Sequence, residues 1–156
     1  EKLEKEAFLL FVGDGEERKT LGDYVKKRSI KNVLFLGFKN QTELPKYYVI
    51  GDIFVLPSSF EPWGLVINEA MCYGLSIIAT DKVAATTDLV HHGENGFIYP
   101  AGDIEALANC LLKLIQDGEL RKNMGKRSFE IISRWSYVED IKGIMAALDY
   151  VRKNRA

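Results

Sequence analysis

Five short apolar runs, each closed by polar or turn-forming residues, set the rhythm of this chain. Ala7-Phe8-Leu9-Leu10-Phe11-Val12 runs into Gly13-Asp14-Gly15, and Asn32-Val33-Leu34-Phe35-Leu36 ends in Gly37-Phe38. Ile53 to Leu56 meets Pro57-Ser58-Ser59, and Ser76 to Ala79 and Gly96-Phe97-Ile98 complete the set. Continuous apolar runs of this length predict strands buried on both faces, as in a parallel sheet. Strands are therefore expected near 7–12, 32–36, 53–56, 76–79 and 96–98.

The segments between them carry helical signals. Glu16 to Lys27 is polar, with Leu21 and Val25 four apart, and predicts an exposed helix. Gln41 to Val49 predicts a short helix in which Pro45 is tolerated only in the first turn, so that Pro45 marks its start. Gly64 opens an apolar segment reaching Gly74, and Thr80 to Val90 reads as a loop entering a short helix. Asp103 is a good N-cap for a helix with Ile104, Leu107, Ala108, Leu111 and Ile115 on one face, ended by Gly118. Glu119 to Ser133 is a more basic helix with a solvated face. Ser136 to Glu139 has the form of a capping box, opening a last helix striped by Val138, Ile141, Met145 and Leu148.

Strand–helix alternation over nearly the whole chain predicts an α/β fold, a doubly wound, mostly parallel, Rossmann-like sheet forming one domain over residues 1–156. Ligands of such sheets bind outside the carboxyl ends of the strands. The Gly13-Asp14-Gly15 turn, the strand end at Gly37 and the loop around Glu61 are all expected there.

Composition narrows the function classes. The chain has 156 residues, 47% of them apolar, and a formal net charge of −1. That suits one globular domain with a real core and gives no basic face for nucleic acid. No apolar run approaches the length of a membrane span. Cys72 and Cys110 lie apart in apolar helical segments, which is neither a disulfide framework nor a metal site and suits a reducing, cytoplasmic setting. The chain begins at Glu1 rather than Met, with a strand close behind, and is expected to be a piece of a longer protein.

Two glutamates seven residues apart carry the chemistry. Glu61 precedes a helix start, where unpaired backbone N–H groups and partial positive charge make a ready anion site, and Gly64 has no Cβ to obstruct approach. Glu69 lies among Leu65, Val66, Ile67, Ala70, Met71 and Cys72, so it is expected to be at least partly buried. A buried carboxylate needs hydrogen-bond partners. Taken alone, the residues leave two readings for Glu69, a structural partner or the hydroxyls of a ligand. The Gly13-Asp14-Gly15 turn is equally open between a tight turn and a phosphate cradle. Tyr47 and Tyr48 read as packing, and His91-His92 as a solvated loop pair with no carboxylate or cysteine at ligand spacing.

The stretch FEPWGLVINEAMCYGLSIIAT resembles the signature of the retaining, nucleotide-sugar-dependent "glycosyl transferases group 1" family, family four of the GT-B superfamily. The resemblance extends over essentially the whole chain and implies the C-terminal, donor-binding domain of a two-domain enzyme. It implies that Glu61 contacts the hydroxyls of the transferred sugar, as the catalytic-site carboxylate, and that Glu69 holds the ribose hydroxyls. Backbone N–H groups around Trp63, Gly64 and Leu65 would face sugar and diphosphate. Gly13 and Gly15 would lie beside the nucleotide, and main-chain groups near Gly37 and Phe38 would edge the base. Trp63 stands where most members have Phe. Ala84, Ala85 and Asp88 depart from a Gly-rich, Glu-containing segment, of which only Asp88-Leu89-Val90 fits. The Gly-Asn-Gly-Phe type of turn before the last strand matches at residues 93–97.

The implied reaction is glycosyl transfer to an acceptor hydroxyl with retention, needing no metal and no cofactor beyond the donor. An Arg and a Lys that assist in the family belong to a strand–helix unit expected before Glu1. The glycan or other hydroxyl acceptor, a catalytic His and any peripheral membrane association fall to the N-terminal half. The alternatives are a sugar-nucleotide epimerase or glycan phosphorylase on the same scaffold, or a noncatalytic nucleotide-binding domain. A dinucleotide-binding dehydrogenase is disfavoured, because the opening Gly13-Asp14-Gly15-Glu16-Glu17-Arg18 lacks a third glycine.

Overall fold

The structure, a computed structural model, describes residues 7–154. It divides into two compact units, one ending at Gly51 and the other beginning at Asp52. The strands form two hydrogen-bonded sheets, one in each unit, and every pairing between named strands is parallel.

The first unit contains β1 (Leu9–Val12), α1 (Arg18–Lys27), β2 (Val33–Gly37) and α2 (Leu44–Ile50). β1 pairs with β2 in the register Leu9 opposite Val33 and Phe11 opposite Phe35, with an irregularity between Phe11 and Val12. The rings of Phe11 and Phe35 stack at 4.8 Å and 6°. α1 buries none of its residues, as its polar sequence predicts. Pro45 falls in the first turn of α2, which therefore begins at Leu44 rather than Gln41.

The second unit contains β3 (Ile53–Leu56), α3 (Leu65–Cys72), β4 (Ser76–Thr80), α4 (Ala85–Leu89) and β5 (Gly96–Tyr99), then α5 (Ile104–Gln116), α6 (Gly118–Ile132) and α7 (Tyr137–Lys153). β4 lies between β3 and β5 and is buried along its whole length. One core cluster joins Ile78, Phe97 and Tyr99 to Leu114 of α5 and Met124 of α6. Each such fully buried aliphatic side chain contributes about 1.5–3 kcal/mol relative to exposure.

Glycines set two close approaches here. A methyl on Gly96 would collide with the carbonyl oxygen of Ile77, and one on Gly125 with that of Gly74. Gly74 itself, at φ 69°, ends α3 in a Schellman motif, with Leu75 N donating to Ala70 O and Gly74 N to Met71 O. Asn95 is fully buried and satisfied. Its Oδ1 accepts from His91 N at 2.7 Å, and its Nδ2 donates to Leu89 O at 3.0 Å and towards Ser128 Oγ at 3.4 Å. The turn before β5 is thereby fixed to α6.

Three helical expectations change. The inward face of α5 runs through Leu107, Cys110, Leu111 and Leu114, while Ile104 is 82% exposed. Both sets fit a 3.6-residue period, because α5 is apolar over more than half its circumference. Gly118 does not end α5 but is the first residue of α6, whose N-cap Asp117 accepts from Leu120 N at 2.8 Å. At α7, Ser136 accepts from Val138 N and donates its hydroxyl proton to Glu139, a variant of the expected box. Among the described residues no helix is long and apolar enough to cross a membrane.

Candidate functional site

The β3–α3 junction brings together Glu61, Trp63, Gly64, Leu65 and Glu69. Gly64 is the N-cap of α3 at φ 96°, ψ 56°, a left-handed conformation that side chains disfavour. A Cβ there would lie 3.0 Å from Val83 Cγ1, 3.2 Å from Leu56 Cδ2 and 3.3 Å from Glu61 Cγ. Glycine is thus required for backbone angle and for fit against the chain's own side chains, a more local reason than ligand approach. Having no side chain, Gly64 cannot cap the helix, so no side chain accepts from the N–H groups at its very start. Ile67 N bonds Gly64 O at 2.8 Å, and Leu65 stands out, 68% exposed.

A neighbouring loop holds this junction. Glu61 forms a parallel bridge with Val83, in which Glu61 N donates to Lys82 O at 3.0 Å and Ala84 N to Glu61 O at 3.1 Å. Ala85 N donates to Trp63 O at 3.0 Å. The alanines that depart from the glycine-rich pattern therefore serve as a backbone clamp. Glu61 and Glu69 are both half-buried, in keeping with the expectation for Glu69. Cys72, one turn beyond Glu69, is exposed overall, yet desolvation raises its thiol above the ordinary range and the Glu69 charge adds to this. The Trp63 indole is held by its Nε1–H, which donates to Asn68 Oδ1 at 3.0 Å, and by the ring of Trp135 at 6.2 Å.

Gly13, Gly15, Gly37 and Phe38 form a second group, within the first unit. Gly13, at φ 136°, donates its N–H to Gly37 O at 3.0 Å, tying the turn after β1 to the end of β2. Asp14 accepts from Gly15 N at 2.9 Å and from Arg18 Nη1 at 2.7 Å. These two bonds, the backbone one foremost, hold its carboxyl below the usual carboxylate range. The same guanidinium lies 3.2 Å from where a Cβ on Gly37 would stand, and Phe38 is 75% exposed at the strand end. Phe11, Val12, Gly13, Asp14, Gly15 and Arg18 line a shallow depression here. Sequence reasoning passed over Arg18, although its place four residues after Asp14 is the spacing of a helix ion pair. Asn68 and Trp135 gave no such signal, since both act through contacts the chain makes only when folded.

His91 and His92 are loop residues, as expected, but His92 also fastens the loop to β5, its Nδ1 accepting from Ile98 N at 3.1 Å. Tyr48 is buried, and Lys39 and Lys46 flank the ring of Tyr47. Among the described residues no three His, Cys, Asp or Glu side chains cluster as metal ligands would.

The family model described as glycosyl transferases group 1 matches residues 1–130. The chain belongs to this family. It is 37% identical over 130 residues to an N-acetyl-alpha-D-glucosaminyl L-malate synthase of Bacillus anthracis, covering 83% of this chain and 33% of that protein. Among solved structures, Anabaena HepE in complex with UDP superposes with a TM-score of 0.80 at 28% identity, over 92% of this chain and 41% of HepE. The C-terminal domain of a group 1 glycosyl transferase from Francisella tularensis superposes with a TM-score of 0.69 at 29% identity, over 75% of this chain and 60% of that domain. The fold is α/β and Rossmann-like, that of a C-terminal GT-B glycosyltransferase domain. The chain spans about a third of the length of the Bacillus relative.

Proposed function

We propose that residues 1–156 constitute the donor-binding domain of a glycosyltransferase that moves a glycosyl unit from a nucleoside-diphosphate sugar to an acceptor hydroxyl, with retention and without a metal. The observation that carries this reading is the β3–α3 junction, where two half-buried glutamates flank a helix start that no side chain caps. In this reading the N–H groups at Gly64 and Leu65 meet charge developing on the departing diphosphate, the interaction that counts most in such a transition state. Glu61 faces the sugar hydroxyls and Glu69 the ribose hydroxyls. Gly13 and Gly15 are assigned to the nucleotide, and main-chain groups near Gly37 and Phe38 to its base. No cofactor other than the donor is invoked, and the acceptor is bound by a part of the protein outside this chain. UDP is the first nucleotide to try, because HepE was solved with it.

Calorimetric titration of the chain with UDP, GDP and ADP, beside Glu69→Ala, tests the proposal. One nucleotide binds, and the substitution weakens it by about 1–3 kcal/mol, the range for a hydrogen bond to a charged group. The chain alone transfers no sugar. Absence of binding to all three, in the chain and in the full-length protein, would falsify the donor-domain reading.

A further inference from the structure

The Trp63 indole is wedged rather than free. Its backbone carbonyl is held by Ala85 N, its Nε1–H by Asn68 on α3, and its ring meets Trp135 at 6.2 Å and a 45° tilt. Trp135 comes from far along the chain, in the four-residue connection between α6 and α7. That connection is itself anchored: Trp135 N donates to Ile132 O at 2.9 Å and Arg134 N to Ile131 O at 3.1 Å. Ile131 and Ile132 are buried in the core, whereas α7, which starts two residues after Trp135, buries none of its residues. Trp135 itself is 46% exposed, so core packing alone does not account for so large a ring at this place.

We infer that Trp135 is a positioning residue for the donor loop: it presses Trp63 into the orientation that presents one wall to the transferred sugar, two residues from Glu61. The inference rests on the donor-domain reading above and extends it to a specificity contact delivered from the root of α7. Because the contact is made with the Trp63 ring, its influence falls on the sugar moiety and spares the nucleotide.

The test is a set of paired titrations of the full-length protein with UDP, GDP and ADP and with their glucose conjugates. For the nucleotide that binds, Trp135→Ala weakens the conjugate by about fivefold or more and leaves the plain nucleotide within about twofold, while Trp135→Phe restores most of the loss. The effects of Trp63→Ala and Trp135→Ala are not additive, as for residues acting through one contact. If Trp135→Ala does not fold, Trp135→Leu is read in the same way. Equal weakening of nucleotide and conjugate, or no change in either, overturns the inference while the donor-domain reading stands. Binding of no nucleotide by the unsubstituted protein overturns both.

Discussion

In the second unit all five residues of β4 are buried, while in the first α1 buries none of its ten residues and β1 none of its four. Leu9 and Leu34 are 46% and 49% exposed. The candidate groups of the two units therefore stand on different supports. Glu61, Gly64 and Glu69 are fixed by a core, by the Val83 bridge and by a helix start. Gly13, Gly15 and Gly37 are fixed by neighbours: one backbone bond between Gly13 and Gly37, and the Asp14–Arg18 pair. Regions with few buried apolar contacts open locally at low free energy. Within one chain, then, one candidate group is held rigid by packing while the other rests mainly on its turn chemistry.

The same substitution should take opposite signs in the two units. Gly125→Ala drives a methyl into the Gly74 carbonyl and should destabilise by about 3 kcal/mol or more, lowering the melting temperature by roughly 10 °C. A melting temperature within about 2 °C of the parent would mean that the helix contact can slide apart, and the contrast would lose its sharper side. Asn95→Ala should come next, at about 2–3 kcal/mol, since it leaves His91 N and Leu89 O without their buried side-chain partner, while Ser128 keeps its bond to the residue 95 carbonyl. Urea unfolding measures this, and a midpoint equal to that of the parent would show that water replaces the side chain. Gly22→Ala, on exposed α1 with open space where the methyl would go, should instead stabilise by about 0.5–1 kcal/mol. Loss of stability there would reveal tertiary contact that the first unit does not display.

The smallest effect concerns charge. Burial and the Glu69 carboxylate both raise the Cys72 pKa, so Glu69→Gln removes one cause and lowers it. At a fixed pH below that pKa the thiolate fraction then rises, and iodoacetamide should alkylate Cys72 faster. An unchanged rate would place the Glu69 charge too far away to matter.

Most of the strand pattern was legible in sequence, because continuous apolar runs have few other uses: β3 spans the expected residues and the other strands differ by two residues or fewer at each end. The placing of Pro45 in the first turn of α2 and the N-cap at Asp103 were legible for the same kind of local reason. What failed was choice among equivalents. Leu114, not Ile104, is the buried anchor of α5, and no periodicity argument separates two overlapping apolar faces. At the candidate site the Glu61–Glu69 spacing could be read, but the Lys82–Ala85 clamp could not. It uses backbone groups, which every residue has, and its alanines look like lost glycines until they are seen bonded to Glu61 and Trp63.

The uncovered stripe of α7 has a consequence for handling the chain. Ile141, Ile144, Met145 and Leu148 are each more than half exposed, on a molecule whose formal charge is only −1. Electrostatic repulsion between copies is then weak, while each copy offers the others an oily ridge several turns long. In colloidal terms, attraction between copies is then expected to show near neutral pH as a negative second virial coefficient in light scattering.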